Sequence, residues 1–464
     1  MTSQSPAKPQ RQRSAPDPSA EPRRGRSAPD PSAAPPRRDS TPDPSNASSR
    51  PAYRLFEVTG LELEFAVVDS TLAPQCLVEK AFRVLAGRPV SDVVLGPVGF
   101  SNELAAHVFE TKTMDPVRDL AAAEPALVDG VRRFAAVLRR EFDAQLLPTG
   151  MHPFMKPSDT HLWRRSGRAI YDAYAQLFPI HEHGWLNVQS CQTNLPFGAT
   201  EEETVVLHNA IACLLPYLPA LAASSPYYEG RPGPNVCNRM AFYKANQRRI
   251  PQIAGRIVPE YMTSFAQYRR DVFDRIYAAL DRIEGGGRIR HEFVNSRGAI
   301  LRFDRNAIEV RVVDLQECVK MDVAVATFIR RAAMALVRAL QEGRMQLPDH
   351  AVLVEDYDAA VMHGRAARVF APHLVLAKRA GGGTAPAEAA LRCLLELAGH
   401  GASASEGAYL RLVESRVREG NLSERIRSEV ERHGSTDANR LDALRGVYSD
   451  LAQCLLANTP WKIA

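Results

Sequence analysis

The sequence predicts an α+β protein built on an antiparallel sheet. Three observations carry this: short apolar segments that hold isolated acidic or amide residues, long helical stretches between them, and no regular βαβ rhythm. Residues 61–68, 105–112, 192–195, 301–303 and 307–313 read as strands. Apolar residues at helical spacing mark helices over 119–142 and 321–340. Another helix opens at Thr200, whose hydroxyl three residues before Glu203 makes a capping box. A further helix is expected over 259–283, with Pro259 in its first turn.

Glycine clusters at 285–287 and 381–383 interrupt this pattern. Neither precedes Gly-Lys-Ser/Thr, and no GxGxxG follows a strand, which excludes a P-loop and a dinucleotide fingerprint. Residues 1–50 are rich in Pro, Ser and Arg and repeat the octad Arg-Ser-Ala-Pro-Asp-Pro-Ser-Ala at 13–20 and 26–33. With almost no apolar side chains, that tail cannot offset its ordering entropy and is expected to be disordered. The main domain should span 51–375, and the second glycine cluster should link it to a helical C-terminal region, 376–464.

Composition narrows the function. The chain has 464 residues, 45% hydrophobic and 24% charged, which suits a globular protein with a sizeable core. Nine Lys/Arg against five Asp/Glu in the first 50 residues carry most of the net charge of +5, so the folded part has no basic surplus for nucleic acid. Seven scattered cysteines without a CxxC pair imply a reducing, cytoplasmic setting. The longest apolar run, 205–223, contains His208, Asn209, Pro216 and Pro219 and reads as a buried helix, with no membrane expected.

The acidic strands carry the chemistry. In Gly60-Leu61-Glu62-Leu63-Glu64, the two glutamates share one face of a strand and the leucines take the other. Two readings compete: the wet face of an amphipathic strand, or oxygen ligands for a hard divalent ion, Mg2+ or Mn2+. Further strands tip the balance toward metal. Glu110 lies between apolar neighbours on a second strand, while Glu103, seven residues earlier, falls on the opposite face unless the chain bends. Gln192 and Asn194 present amides on a third strand. On the last, Glu309 and Arg311 face away from Ile308, Val310 and Val312, with Arg302 nearby. Glutamates and arginines on one concave sheet face are the parts of a metal–phosphate site.

These segments, in this order, resemble the glutamate–cysteine ligase and carboxylate–amine ligase family, whose fold is glutamine-synthetase-like. Gly60 to Glu64 resembles the G-x-E-x-E opening, Glu103 to Thr111 the second acidic strand, and Met151-His152-Pro153-Phe154 the G-T-H-P-F turn. Gln192-Thr193-Asn194-Leu195 is similar to the Q-V-N-L strand of the plant and proteobacterial ligases. The segment from Ser225 to Pro232, with Arg239 after it, resembles S-P-F-x-E-G-x-P…R, and Ala307 to Arg311 resembles the last metal strand. Met151 and Tyr227 depart from the pattern, and residues 293–305 match none of it.

The resemblance implies ATP- and Mg2+-dependent (or Mn2+-dependent) amide formation through an acyl phosphate. Glutamate and cysteine, the pair that begins glutathione biosynthesis, are the default substrates. It implies metal ligation by Glu62, Glu64, Glu103, Glu110 and Glu309, and catalytic phosphate contacts from Arg239, Arg302 and Arg311. Substrate contacts would come from Gln192, Asn194, His152 and Arg239. Its partners are amino acids and ATP. The alternatives are another acid–amine pair and a non-catalytic nucleotide-binding regulator on the same scaffold.

Overall fold

Eight strands form one antiparallel sheet, in the order β2-β3-β4-β1-β6-β10-β9 with β5 beside the far end of β1. They are β1 (Gly60–Asp69), β2 (Asp92–Leu95), β3 (Val98–Asn102), β4 (Val108–Thr113), β5 (Ala144–Leu147), β6 (Cys191–Pro196), β9 (Ala299–Arg302) and β10 (Ala307–Val310). A separate two-residue hairpin pairs β7 (Tyr227–Tyr228) with β8 (Arg231–Pro232). The computed structural model describes residues 53–165, 167–283, 285–374, 383–434 and 436–463. The tail expected to be disordered lies outside the described residues.

β1 organises the sheet. One edge pairs with β4 through Glu62 to Ala66, and the other pairs with β6 and then with β5. Its alternation is strict. Leu61, Leu63, Phe65 and Val67 enter the main core, where Phe109 stacks on Phe134 of the helix Leu120–Phe142 at 3.9 Å. On the opposite face Glu62 and Glu64 are followed by Ala66 and Val68, which join a second apolar cluster.

The helices follow their caps. Asp119 accepts the Ala121 N–H and opens Leu120–Phe142, and Val319–Gln341 covers the expected 321–340. Thr200 accepts the Glu203 N–H at 3.2 Å, but the Glu203 carboxylate accepts from Ala199, so the box is closed one residue early. The helix expected from Pro259 begins instead at Phe265, because Ser264 caps it by accepting the Gln267 N–H. It then passes through a π-helical turn, Arg269–Phe273, and ends at Leu280. The apolar run 205–223 lies in the helices Glu201–Leu214 and Leu218–Ala222 and the turn between them, largely buried in the core.

The boundary expected near residue 376 falls among residues 375–382, outside those described. The helices beyond it share the cores of the sheet. Ala387–Gly399 and Ala404–Glu419 contribute Leu391, Leu394 and Val413 to the main core. Leu422–His433 and Asp437–Ala457 pack Ile426, Leu444 and Leu451 against Ala66, Val68 and Leu147. They close the end of the sheet face that lacks acidic residues.

Candidate active site

The β1–β4 register sets Glu64 directly across from Glu110, and the β3–β4 register sets Ser101 across from Glu110. The segment expected as one strand over 105–112 is a turn followed by β4, so the chain does bend between Glu103 and Glu110. Glu103 follows Asn102, the last residue of β3, where the chain leaves the strand. One oxygen from each of Glu64, Glu103 and Glu110 lies within 4.8 Å of the others.

This trio fits a hard divalent cation. Its donors are all carboxylate oxygens, and burial makes their shared charge costly without a cation. Burial pushes the Glu64 carboxyl above its ordinary range. Glu103 is pushed well above it by burial and then by Glu64 and Glu110. Glu62, one step along β1, is pushed up to about 7 by burial and then by Glu110.

The remaining expected residues are placed around this trio. Gln192 donates to Glu64 at 2.8 Å and Asn194 to Glu62 at 3.0 Å, so both amides orient carboxylates. The Ser190 N–H adds a bond to Glu64 at 2.7 Å. Glu309 lines the same cavity, ion-paired to Arg302 and 3.3 Å from Arg311. Arg302 also meets Asp304 at 3.1 Å and Glu292 at 3.6 Å and stacks under Phe293 at 4.3 Å, so its guanidinium is enclosed by carboxylates. Arg311 lines the cleft with its side chain partly exposed.

Two expectations are corrected. Arg239 is not a free fork for a substrate carboxylate. It is 2% exposed, its Nε donates to Asp314 at 2.8 Å, and its Nη2 donates to the Arg311 and Val313 carbonyls. His152 lies outside the cleft. Its ring is bonded to the Leu72 carbonyl at 2.8 Å and accepts the Phe154 and Met155 N–H groups, which makes it a brace for the turn. Burial holds that imidazole down to about 4, so it stays neutral.

Sequence reasoning missed Arg305, ion-paired to Glu62. It also missed Lys112, 2.6 Å from Glu110 and 2.9 Å from Ser101. Lys112 was visible as the same-face neighbour of Glu110 two residues along β4, whereas Arg305 sits in a turn with no pattern to find it by. Glu62, Lys112 and Arg305 join two cavities of about 490 and 370 Å³, sizes suited to small molecules.

Comparisons with known proteins identify the family. Residues 58–441 match the model of the family described as Glutamate-cysteine ligase family 2 (GCS2). An uncharacterized protein of Archaeoglobus fulgidus is 37% identical over 367 residues, 79% of this chain and 91% of its own length. A putative glutamate–cysteine ligase 2 of Ectopseudomonas mendocina is 29% identical over 180 residues, 37% of this chain and 42% of the relative. Thus the chain aligns with less than half of that relative. The glutamate–cysteine ligase of Francisella tularensis, solved in complex with AMP, superposes with a TM-score of 0.53 at 11% identity, covering 87% of this chain and 91% of that one. The fold is shared with that ligase, and the family match covers most of the chain: the chain belongs to glutamate–cysteine ligase family 2 and is a ligase of the carboxylate–amine type.

Proposed function

We propose that the chain joins a carboxylic acid to an amine at the expense of ATP, with glutamate and cysteine as the first pair to test. The observation that carries this is the group of buried Glu64 and Glu110 with half-buried Glu103, three carboxylates close enough to share a cation. Glu62 would serve the same ion or a second one. A bound Mg2+ or Mn2+ supplies charge neutralisation for phosphates and polarises the phosphoryl group.

The chain's own residues do the rest. Gln192, Asn194 and the Ser190 N–H hold the glutamates at fixed angles, so little reorganisation is needed when a cation arrives. Arg311, at the cleft wall beside Glu309, offers a guanidinium to a phosphate or substrate carboxylate. Arg239 positions it by holding the Arg311 carbonyl. Activation of the acid as an acyl phosphate and attack by the amine then give an amide, ADP and phosphate. Seven free thiols fit a cytoplasmic setting.

A second reading keeps this chemistry and changes the acceptor. Tyr171, Tyr174, Trp185, Tyr243, His291 and Phe293 line the larger cavity, an aromatic wall broader than a cysteine side chain requires. ADP release with Mg2+, glutamate and a panel of amines tests both. Turnover with cysteine supports the first pair, and turnover confined to bulkier amines supports the second. No ADP release with any acid–amine pair would defeat the proposal.

A further inference from the structure

We propose that Arg305 is a built-in counter-cation. It neutralises Glu62 in the free protein and passes to the nucleotide's phosphates when a divalent ion takes the glutamates. This rests on the ligase reading above. Among the cleft arginines, Arg239 and Arg302 are fixed, the first by Asp314 and two carbonyls, the second by Glu309, Asp304 and Glu292. Arg305 is held differently. Its side chain is 29% exposed, it closes on Glu62, and its second carboxylate, Asp304, is 3.9 Å away.

Its place in the fold favours exchange. Arg305 sits in the turn between β9 and β10, where it borders both cavities, and among the described residues only Lys112 shares that position as a cation. The Lys112 ammonium is already taken up by Glu110 and Ser101. The turn itself is anchored. Phe303 packs edge-on against Phe197 at 5.8 Å and Phe265 at 5.4 Å, and Arg269 stacks on its ring at 4.7 Å. On the other side of Arg305, Asn306 takes the left-handed conformation with φ of 51° and accepts the Phe197 N–H at 2.8 Å. A fixed backbone on both sides leaves the long Arg305 side chain as the movable part.

The electrostatics give the direction. Once ionised, a buried Glu62 carboxylate needs a cation, and in the free protein the guanidinium is that cation. A divalent ion on the glutamates does the same with twice the charge, which releases the guanidinium at the junction of the cavities. Phosphate oxygens are the anions its planar fork matches with two hydrogen bonds.

Metal and nucleotide binding of the full-length protein should therefore move in opposite directions on substitution. In Arg305→Gln, Mn2+ binding without nucleotide, read by EPR, should tighten several-fold because the competing cation is gone. Affinity for a non-hydrolysable ATP analogue with Mg2+ should fall roughly tenfold, the loss of one charge-assisted fork. Arg305→Lys keeps the charge, so its Mn2+ affinity should stay at the wild-type value while analogue affinity falls to an intermediate level. Metal and analogue affinities unchanged in both variants, or weakened together in both, overturn the exchange and leave a structural ion pair. A wild-type protein that binds neither Mn2+ nor the analogue overturns the ligase reading and this proposal with it.

Discussion

Glu64 and Glu110 occupy directly opposed positions on adjacent antiparallel strands, two carboxylates where a sheet ordinarily sets complementary side chains. Lys112 answers Glu110, while Glu64 is met by the amide of Gln192 and the Ser190 N–H. Like charges across a ladder cost stability, so the arrangement stores repulsion that the proposed divalent ion would relieve.

Replacing Glu64 with Gln keeps its shape and removes one of the opposed charges. In metal-free buffer the variant should be more stable than wild type by about 1 kcal/mol, read as a higher Tm. Activity should fall further than the ~100-fold that loss of an outer ligand partner costs. A variant that is both less stable and fully active would remove Glu64 from the metal site.

The pH dependence of metal-free stability should carry the mark of Glu62. Its folded-state pKa of about 7 lies above its ordinary value of 4.5, so the folded protein holds a proton that the unfolded chain has lost between those limits. The contribution is complete below about 4.5 and is lost as pH rises toward about 7. The buried histidines work the other way: His152 and His208, held near 4, favour the folded state increasingly as pH rises to 6.5. The clean measurement is the Tm difference between Glu62→Gln and wild type. It should grow in favour of the variant from about pH 4.5 to about 7 and shrink when Mg2+ is added. A difference independent of pH would place Glu62 in contact with solvent.

The part of this site that was legible in the sequence is the part written in alternation. Glu62 and Glu64 share a face because strand period is two, and Leu61 and Leu63 fix which face enters the main core. Glu103 resisted the same rule because parity holds only along one strand, and the chain turns between β3 and β4. The strands β2, β3 and β5, of four or five residues each, are too short for a period to stand out. The register of Glu64 against Glu110 is a tertiary fact, as is the pairing of Arg239 with Asp314 across 75 residues. Pro259 misled because proline favours a first helical turn without requiring one, and the cap at Ser264 decides the start.

Arg239 separates a clamp from a brace. Removing its charge in Arg239→Met leaves Asp314 buried without its cation, which should cost about 3–5 kcal/mol of stability. Arg239→Lys keeps the charge but cannot serve Asp314 and the carbonyls of Arg311 and Val313 together. It should lower Tm and kcat while leaving the KM for the acid substrate nearly unchanged. A rise in that KM of roughly tenfold, about 1.4 kcal/mol, at unchanged Tm would restore the substrate clamp that the sequence suggests.

The C-terminal helices test whether the sheet can stand without them. Leu451 is fully buried in the cluster that also holds Ala66, Val68 and Leu147, on the sheet face that carries Glu62 and Glu64 further along β1. That cluster covers the part of β1 beyond the acids, so helix packing and site geometry are joined through one strand. Truncating Leu451 to Ala should cost about 2–5 kcal/mol. If these helices share the sheet's core, the loss should appear as one cooperative transition moved to lower denaturant, followed alike by far-ultraviolet dichroism and by Mn2+ release. If they form a domain of their own, the variant should unfold in two steps, with metal binding surviving the first. One shared transition is the expected result, because Ala66 and Val68 leave the face of β1 without cover once these helices depart.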